Sequence, residues 1–450
     1  LEADLFIKIL GSPHPHAVIT RIDSRRAEAL EGVQAVLTHR DVPDKLIFFA
    51  THRPCRVMDA RLRHVGDYVA AVAATSEAIA ERALDLLEVE YEVLPAVFDA
   101  EEALQPDAPR LYPEGNDFAL ADLPLGAGNP AGGVLQEWGD VDEGFEQAEV
   151  IAEESYDVTP QIHSALEPHG TVSRLESDGS ATVWASTQST TSVRGVGRAL
   201  GVKSGQVRVL TPHMGGGFGA KFGVQPWDLE AAAFAKRTKR PVRAMLGRRQ
   251  EHLTGGNRPD SIQEMTLAGK ADGTFTGLVG RAMGTAGNGT RGAGCANTGV
   301  YRLPAVAMEQ ATVPTFTQRG VAFRAPGHPQ GIYALEGVVE LFAHEAGLDP
   351  LEVRLKHAPH PIRQIQWRIG AERIDWARNR RRPSGSDAGP VKRGVGCAAA
   401  VWFQKGGGSW NVDVRIERDG SVTVFNGAQD IGTGTRTVLA ILVAEELGIL

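Results

Sequence analysis

The residues best placed for chemistry in this chain of 450 residues lie in four short loops, each joining backbone donors to one or two polar side chains. They are Ser186-Thr187-Gln188, the glycine loop Gly215-Gly216-Gly217-Phe218-Gly219, the FRAPGHPQ stretch around Arg324, and QDIGTGT from Gln429 to Thr435. Converging N–H groups, an amide and a guanidinium suit a large ligand with phosphate and ring heteroatoms better than a small substrate. Hydrolytic chemistry finds no support: there is no G-x-S-x-G elbow and no H-E-x-x-H. His163 with His169 lacks metal-ligand partners, and His14 with His16 has no third ligand nearby.

The glycine loop admits three readings. A P-loop fails, because Lys221 is followed by Phe222 and no Ser or Thr can hold Mg²⁺. A dinucleotide fingerprint fits the spacing of Gly215, Gly217 and Ala220, and Arg248 with Arg249 could take the 2′-phosphate of NADP. That reading explains one loop of the four. A loop gripping another phosphorylated cofactor accommodates the rest, and a plain glycine turn packing strand to helix is the bland alternative.

Alternation predicts a strand at Val207–Leu210 before the glycine loop and an alanine-rich helix from Pro226 after it. A helix is expected over 190–200, and hairpins at Asp178-Gly179, Asp272-Gly273 and Asp419-Gly420. Ile332, Leu335, Val339 and Phe342 mark one face of a helix behind the Arg324 loop. Asp349, Pro350 and Glu352 open another. The expected organisation is α/β (α+β): a first unit over 1–105, a surface linker over 106–147, a second unit over 148–360 and a third over 391–450. The arginines between Arg363 and Arg393 sit among Pro, Ser and Gly and read as a solvated polar connection.

Glycine and proline make up about 17% of the chain against an average of ~12%, which favours a loop-rich mixed fold. A net charge of −8 argues against a nucleic-acid surface. Cys55, Cys295 and Cys397 show no C-x-x-C spacing, so neither an iron–sulfur cluster nor a cysteine zinc site is expected. No run of 18 apolar residues reads as a membrane span, and no signal peptide is visible. The expected compartment is the cytoplasm, with the periplasm as alternative. Both ends read as cut, so a C-terminally truncated fragment is expected.

In order and wording these segments resemble the molybdopterin-binding large subunit of the xanthine dehydrogenase and aldehyde oxidase family. SPHPHAVITRID, VQAVLTHRDVP, HVGDYVAAVAA and VEYEVLPAVFD are similar to its α/β hammerhead domain. LEPHG, TQ, GGGFGAK, FRAPG–PQ and QDIGTGT are similar to its cofactor-binding domains. FRAPGHPQGIYALE and DIGTG look most like bacterial aldehyde-oxidising members.

The resemblance implies a molybdenum hydroxylase that inserts water-derived oxygen into an aldehyde or aromatic N-heterocycle. It implies molybdopterin, commonly as the cytosine dinucleotide, with a small [2Fe-2S] subunit and an FAD-binding medium subunit as partners. The molybdenum would be held by the pterin rather than by protein side chains. Gln188, Phe218 and Arg324 would serve the reaction: Gln188 bonding an oxo group, Phe218 and Gly219 lining the site, and Arg324 steadying negative charge. Gly216, Gly217, Gln429, Gly432, Thr433, Gly434 and Thr435 would complete the cofactor grip, and Glu167 and His169 would brace the fold. The family's general-base glutamate is expected in a segment later than Leu450. Purine-hydroxylating members carry Glu where this chain has Phe222, which implies a less polar substrate than a purine.

Overall fold

The computed structural model describes residues 3–42, 47–48, 54–55, 57–112, 133–289, 295, 298–381, 385–402 and 412–449. Its centre is a seven-stranded sheet ordered Val207–Leu210, Ala181–Ala185, Gly170–Leu175, Val242–Met245, Leu5–Gly11, Tyr68–Ala74, Val33–Thr38. Leu5 pairs in parallel with Val242, so the sheet runs without a break from the N-terminal unit into the second. Alternation explains the strands: Leu5, Ile7 and Ile9 are buried, and the same face carries Val183, Val242 and Ala244. The helix Pro226–Thr238 covers this face with Trp227, Ala231, Phe234 and Ala235. Pro226 sits in its first turn, where a missing N–H costs nothing.

A five-stranded sheet follows, ordered Val150–Val158, Ser261–Gly269, Phe275–Gly287, Val306–Pro314, Gly133–Trp138. The long helix His328–Glu345 packs on it, with Leu335, Val339 and Phe342 against Met265, Leu267 and Leu278. Its start is therefore fixed by core packing, and the Arg324 loop leads directly into it. The next helix, Pro350–His357, is capped by Asp349, whose side chain accepts from the Leu351 N–H. The hairpins at Asp178-Gly179, Asp272-Gly273 and Asp419-Gly420 are all present.

Three expectations meet a different outcome. The helix over 190–200 breaks into Thr190–Val193, a 3₁₀ turn Arg194–Val196 and Gly197–Leu200. Two glycines sit at the break, and a side chain at Gly197 would meet Val202 O at 2.9 Å. The first part of the arginine-rich connection forms a helix, Pro361–Arg373, while residues 385–393 form no regular element, as expected. Trp367 of that helix packs onto the core beneath, a tertiary gain that outweighs the polar composition. The span 106–147 contains the edge strand Gly133–Trp138 and the helix Val141–Glu146, while residues 113–132 lie outside the described set. The start of the third unit, 391–402, forms no regular element; it is tied to the His328 helix by the Ala399 N–H donating to Glu336 at 2.9 Å. Among the described residues no helix is long and apolar enough to cross a membrane.

Candidate functional site

Three of the four loops are fastened together by main-chain bonds. The Gly219 N–H donates to Oε1 of Gln188 at 2.8 Å, and the Arg324 N–H donates to the Phe218 carbonyl at 2.7 Å. Close approach explains the glycines: a Cβ on Gly217 would lie 2.6 Å from Gln188 Oε1, and one on Gly219 would lie 2.2 Å from the Ala322 carbonyl oxygen. Gly216 and Gly219 also have positive φ, at 97° and 110°. Phe218 (φ 52°) and Ala325 (φ 58°) adopt the left-handed region despite carrying side chains. Strain at two adjoining loops is the pattern of a site held in place by its surroundings.

With Oε1 occupied, the Gln188 amide NH₂ is left as a donor with no partner among the described residues. The exposed Arg324 guanidinium likewise has no ion pair among the described residues. Its carbonyl, by contrast, accepts from Nη2 of Arg258 at 2.9 Å. Arg258 is only 5% exposed, donates from Nη1 to Gln330 at 3.2 Å, and lies 4.7 Å over the Phe323 ring. Its Nε is unpartnered, no carboxylate pairs with it among the described residues, and burial pulls its pKa below the usual arginine value. A buried cation of this kind calls for negative charge nearby. In the sequence Arg258 is one residue of a polar turn, since a buried and a solvated arginine look alike in one dimension.

Two histidines brace these loops from behind. His163 Nε2 faces the Ala322 carbonyl at 2.8 Å, its ring 4.2 Å from Phe323, and burial lowers its pKa. His169 Nδ1 lies 2.8 Å from Glu251, and its Nε2 lies 3.3 Å from the Ala220 carbonyl. Burial pushes the Glu251 carboxyl up, but the hydrogen bonds and charge of His169 overcome this and hold it below the usual range. Glu167 reaches the same loop from its other end, its Oε2 accepting the Gly215 N–H at 2.6 Å.

The fourth loop reaches the others through Gln429, whose Nε2 donates to Thr190 Oγ1 at 2.9 Å, two residues beyond Gln188. Gly432 and Gly434 have φ of 101° and 76°, with open space where a Cβ would stand. Their N–H groups are already engaged, donating to Asp430 Oδ1 at 3.0 and 3.2 Å. These hydrogen bonds hold the Asp430 carboxyl below the usual range. Thr433 and Thr435 face each other, Oγ1 to Oγ1, at 3.0 Å. Asp430 is a loop-forming residue that sequence reasoning did not single out.

Free amide and guanidinium donors, a buried cation without a carboxylate, and glycine loops at close approach fit an anionic ligand rich in acceptors. Among the described residues no group of three His, Cys, Asp or Glu side chains is placed to hold a metal ion. The donor set therefore suits a large anionic ligand reached from several loops at once.

Comparison with known proteins names that class. The molybdopterin cofactor-binding domain family matches residues 128–358, just over half of the chain, and a second domain of that name matches 370–450. The aldehyde oxidase and xanthine dehydrogenase a/b hammerhead domain matches 1–95. The chain belongs to the molybdopterin-binding large subunits of the xanthine dehydrogenase and aldehyde oxidase family. It is 33% identical to a probable xanthine dehydrogenase component of Bacillus subtilis, over 99% of this chain and 61% of that one. It is 29% identical to a nicotinate dehydrogenase large molybdopterin subunit of Eubacterium barkeri, over 79% of this chain and 82% of that one. Quinoline 2-oxidoreductase from Pseudomonas putida 86 shares the fold at a TM-score of 0.83 and 24% identity, over 99% of this chain and 61% of its own. The chain spans about three fifths of the length of the Bacillus relative.

Proposed function

We propose that this chain binds molybdopterin, in its cytosine dinucleotide form, and that the whole protein hydroxylates an aldehyde or an aromatic N-heterocycle. The observation that carries this reading is the bonded set Gln188–Gly219 and Phe218–Arg324, with the buried cation Arg258 behind it. When bound, the cofactor supplies the two-electron oxidation that introduces water-derived oxygen. The protein's own share is positioning and electrostatics. The Gln188 NH₂ donates to an acceptor on the cofactor, while Arg324 and Arg258 offset negative charge on cofactor or substrate. Exposed Phe218 and Phe222 offer flat apolar faces to an aromatic or aldehyde substrate. Gln429 to Thr435 serve the nucleotide end.

Electrons leave, in this reading, to a small [2Fe-2S] subunit and an FAD-binding medium subunit in the cytoplasm. A second reading, purine hydroxylation, is favoured by the name of the Bacillus relative, a probable xanthine dehydrogenase component, and opposed by Phe222, which cannot hydrogen-bond a purine. The test is metal and nucleotide analysis of the protein purified with its partner subunits, followed by assay of benzaldehyde, nicotinate, quinoline and xanthine. About one molybdenum per chain with released CMP, and turnover of one of the first three, is the expected result. Absence of molybdenum together with tightly held NADP(H) would overturn the reading, and turnover of xanthine alone would select the second.

A further inference from the structure

We propose that buried Lys221 and half-exposed Glu167 form a positioning pair that sets the aim of Gln188 and of the strained turn at Phe218 and Gly219. The inference rests on the molybdopterin reading for its catalytic consequence, but its geometry is independent of any ligand.

The Lys221 side chain is fully buried. Its Nζ donates to the Glu167 carbonyl at 2.7 Å and to Ser186 Oγ at 2.7 Å, and lies 3.5 Å from Glu167 Oε2. An ammonium has three hydrogens, and here each has an acceptor. Burial pulls its pKa below the usual lysine value, with the Glu167 charge opposing that pull. Glu167 Oε2 in turn accepts the Gly215 N–H at 2.6 Å and the Ser186 hydroxyl at 2.9 Å. The pair therefore closes the glycine loop at its mouth, gripping its first residue, Gly215, from Glu167 and its exit from Lys221.

Lys221 also acts through its main chain. Its carbonyl accepts the Gln188 N–H at 2.7 Å and the Thr187 hydroxyl at 3.1 Å. One residue thus fixes the backbone of Gln188 while its side chain fixes the loop whose Gly219 N–H occupies Gln188 Oε1. The consequence is orientation. With the loop held, the Gln188 amide cannot flip, and its NH₂ is the group presented outward. With the loop released, Phe218 relaxes out of its left-handed conformation and Gly219 leaves Gln188.

A fold brace alone explains this pair less well. Pairing a buried ammonium with a carboxylate adds little stability over a well-packed apolar side chain of the same volume, so stability alone does not call for it. Apart from the bonds between Lys221 and Glu167 themselves, every bond made here ends on the glycine loop, on Gln188 or on the two residues before it.

The experiment measures amide hydrogen exchange over 211–224 in the complete protein with its partner subunits, for Lys221→Met, Glu167→Gln and the double variant. Lys221→Met is expected to speed exchange across the loop by about tenfold or more while leaving the Asp272-Gly273 hairpin unchanged. The double variant is expected to exchange no faster than Lys221→Met, because the two residues act as one unit. In the molybdenum-loaded enzyme, kcat is expected to fall by about tenfold with KM changed less than about threefold, and the molybdenum EPR spectrum of the reduced enzyme to shift. Wild-type loop exchange with only a lowered melting temperature would reduce the pair to a brace. Should Lys221→Met fail to fold, Glu167→Gln decides: unchanged exchange in that variant overturns the proposal. A wild-type protein lacking molybdenum defeats the functional reading and leaves the exchange result to judge the pair.

Discussion

The backbone N–H of Arg324 donates to the carbonyl of Phe218 across 2.7 Å, joining the loop before the His328 helix to the loop before the Pro226 helix. Each loop is anchored to a helix packed on a different sheet. The site is therefore the seam between two cores, and its geometry depends on both.

Arg324→Ala removes an exposed guanidinium that pairs with no carboxylate among the described residues, so folding is expected to be nearly unaffected. If Arg324 steadies charge on cofactor or substrate, kcat should fall by ~100-fold or more. Steady-state kinetics beside a thermal melt check this. An unchanged kcat removes Arg324 from the mechanism.

Gly219→Ala places a methyl 2.2 Å from the Ala322 carbonyl oxygen on a backbone with φ of 110°. The expected cost is on the order of 2–4 kcal/mol, together with loss of bound molybdenum. Denaturant unfolding of the purified chain and metal analysis measure the two effects. A variant with native stability and full molybdenum would show that the loops are not locked as described.

Phe222→Glu alters an exposed side chain that carries no side-chain bond in the loop network. Molybdenum content is expected to stay at the wild-type level, while the ratio of kcat/KM for purines over aldehydes rises by about tenfold. Loss of metal in this variant would assign position 222 to the cofactor instead.

Asp228 is fully buried in the first turn of the Pro226 helix, and burial raises its carboxyl from 3.8 to about 7. Its folded pKa lies above the unfolded value, so between the two values the native state binds more protons than the unfolded chain. Stability from this group is full below the unfolded pKa and is lost as pH rises through about 7. Asp228→Asn, which keeps an acceptor for the Gln225 N–H, is expected to flatten that fall by a few kcal/mol at most, on the order set by the shift. Unfolding free energies measured on either side of that range, in mild acid and in mild base, decide it; an identical slope in wild type and variant refutes the assignment.

What the sequence alone determined was local. Period-two alternation placed Val207–Leu210 in a strand, Asp-Gly pairs marked the three hairpins, and glycine- or proline-rich runs beside helix starts marked the loops around Gly215, Arg324 and Gly432. These signals are legible because each depends on residues within a few positions of one another. The tertiary structure alone decided which of these loops touch. It alone joined Leu5 to Val242 in one sheet, and it made a helix of Pro361–Arg373, the first part of the arginine-rich stretch, with Trp367 packed on the core. It also separated Arg258 and Lys221, buried and committed, from the many exposed cations of the same type. The physical reason is that burial and partnership are properties of distant chain segments brought together. A guanidinium or ammonium has the same covalent structure in water and beneath a loop, and only the packing around it determines what its charge must balance.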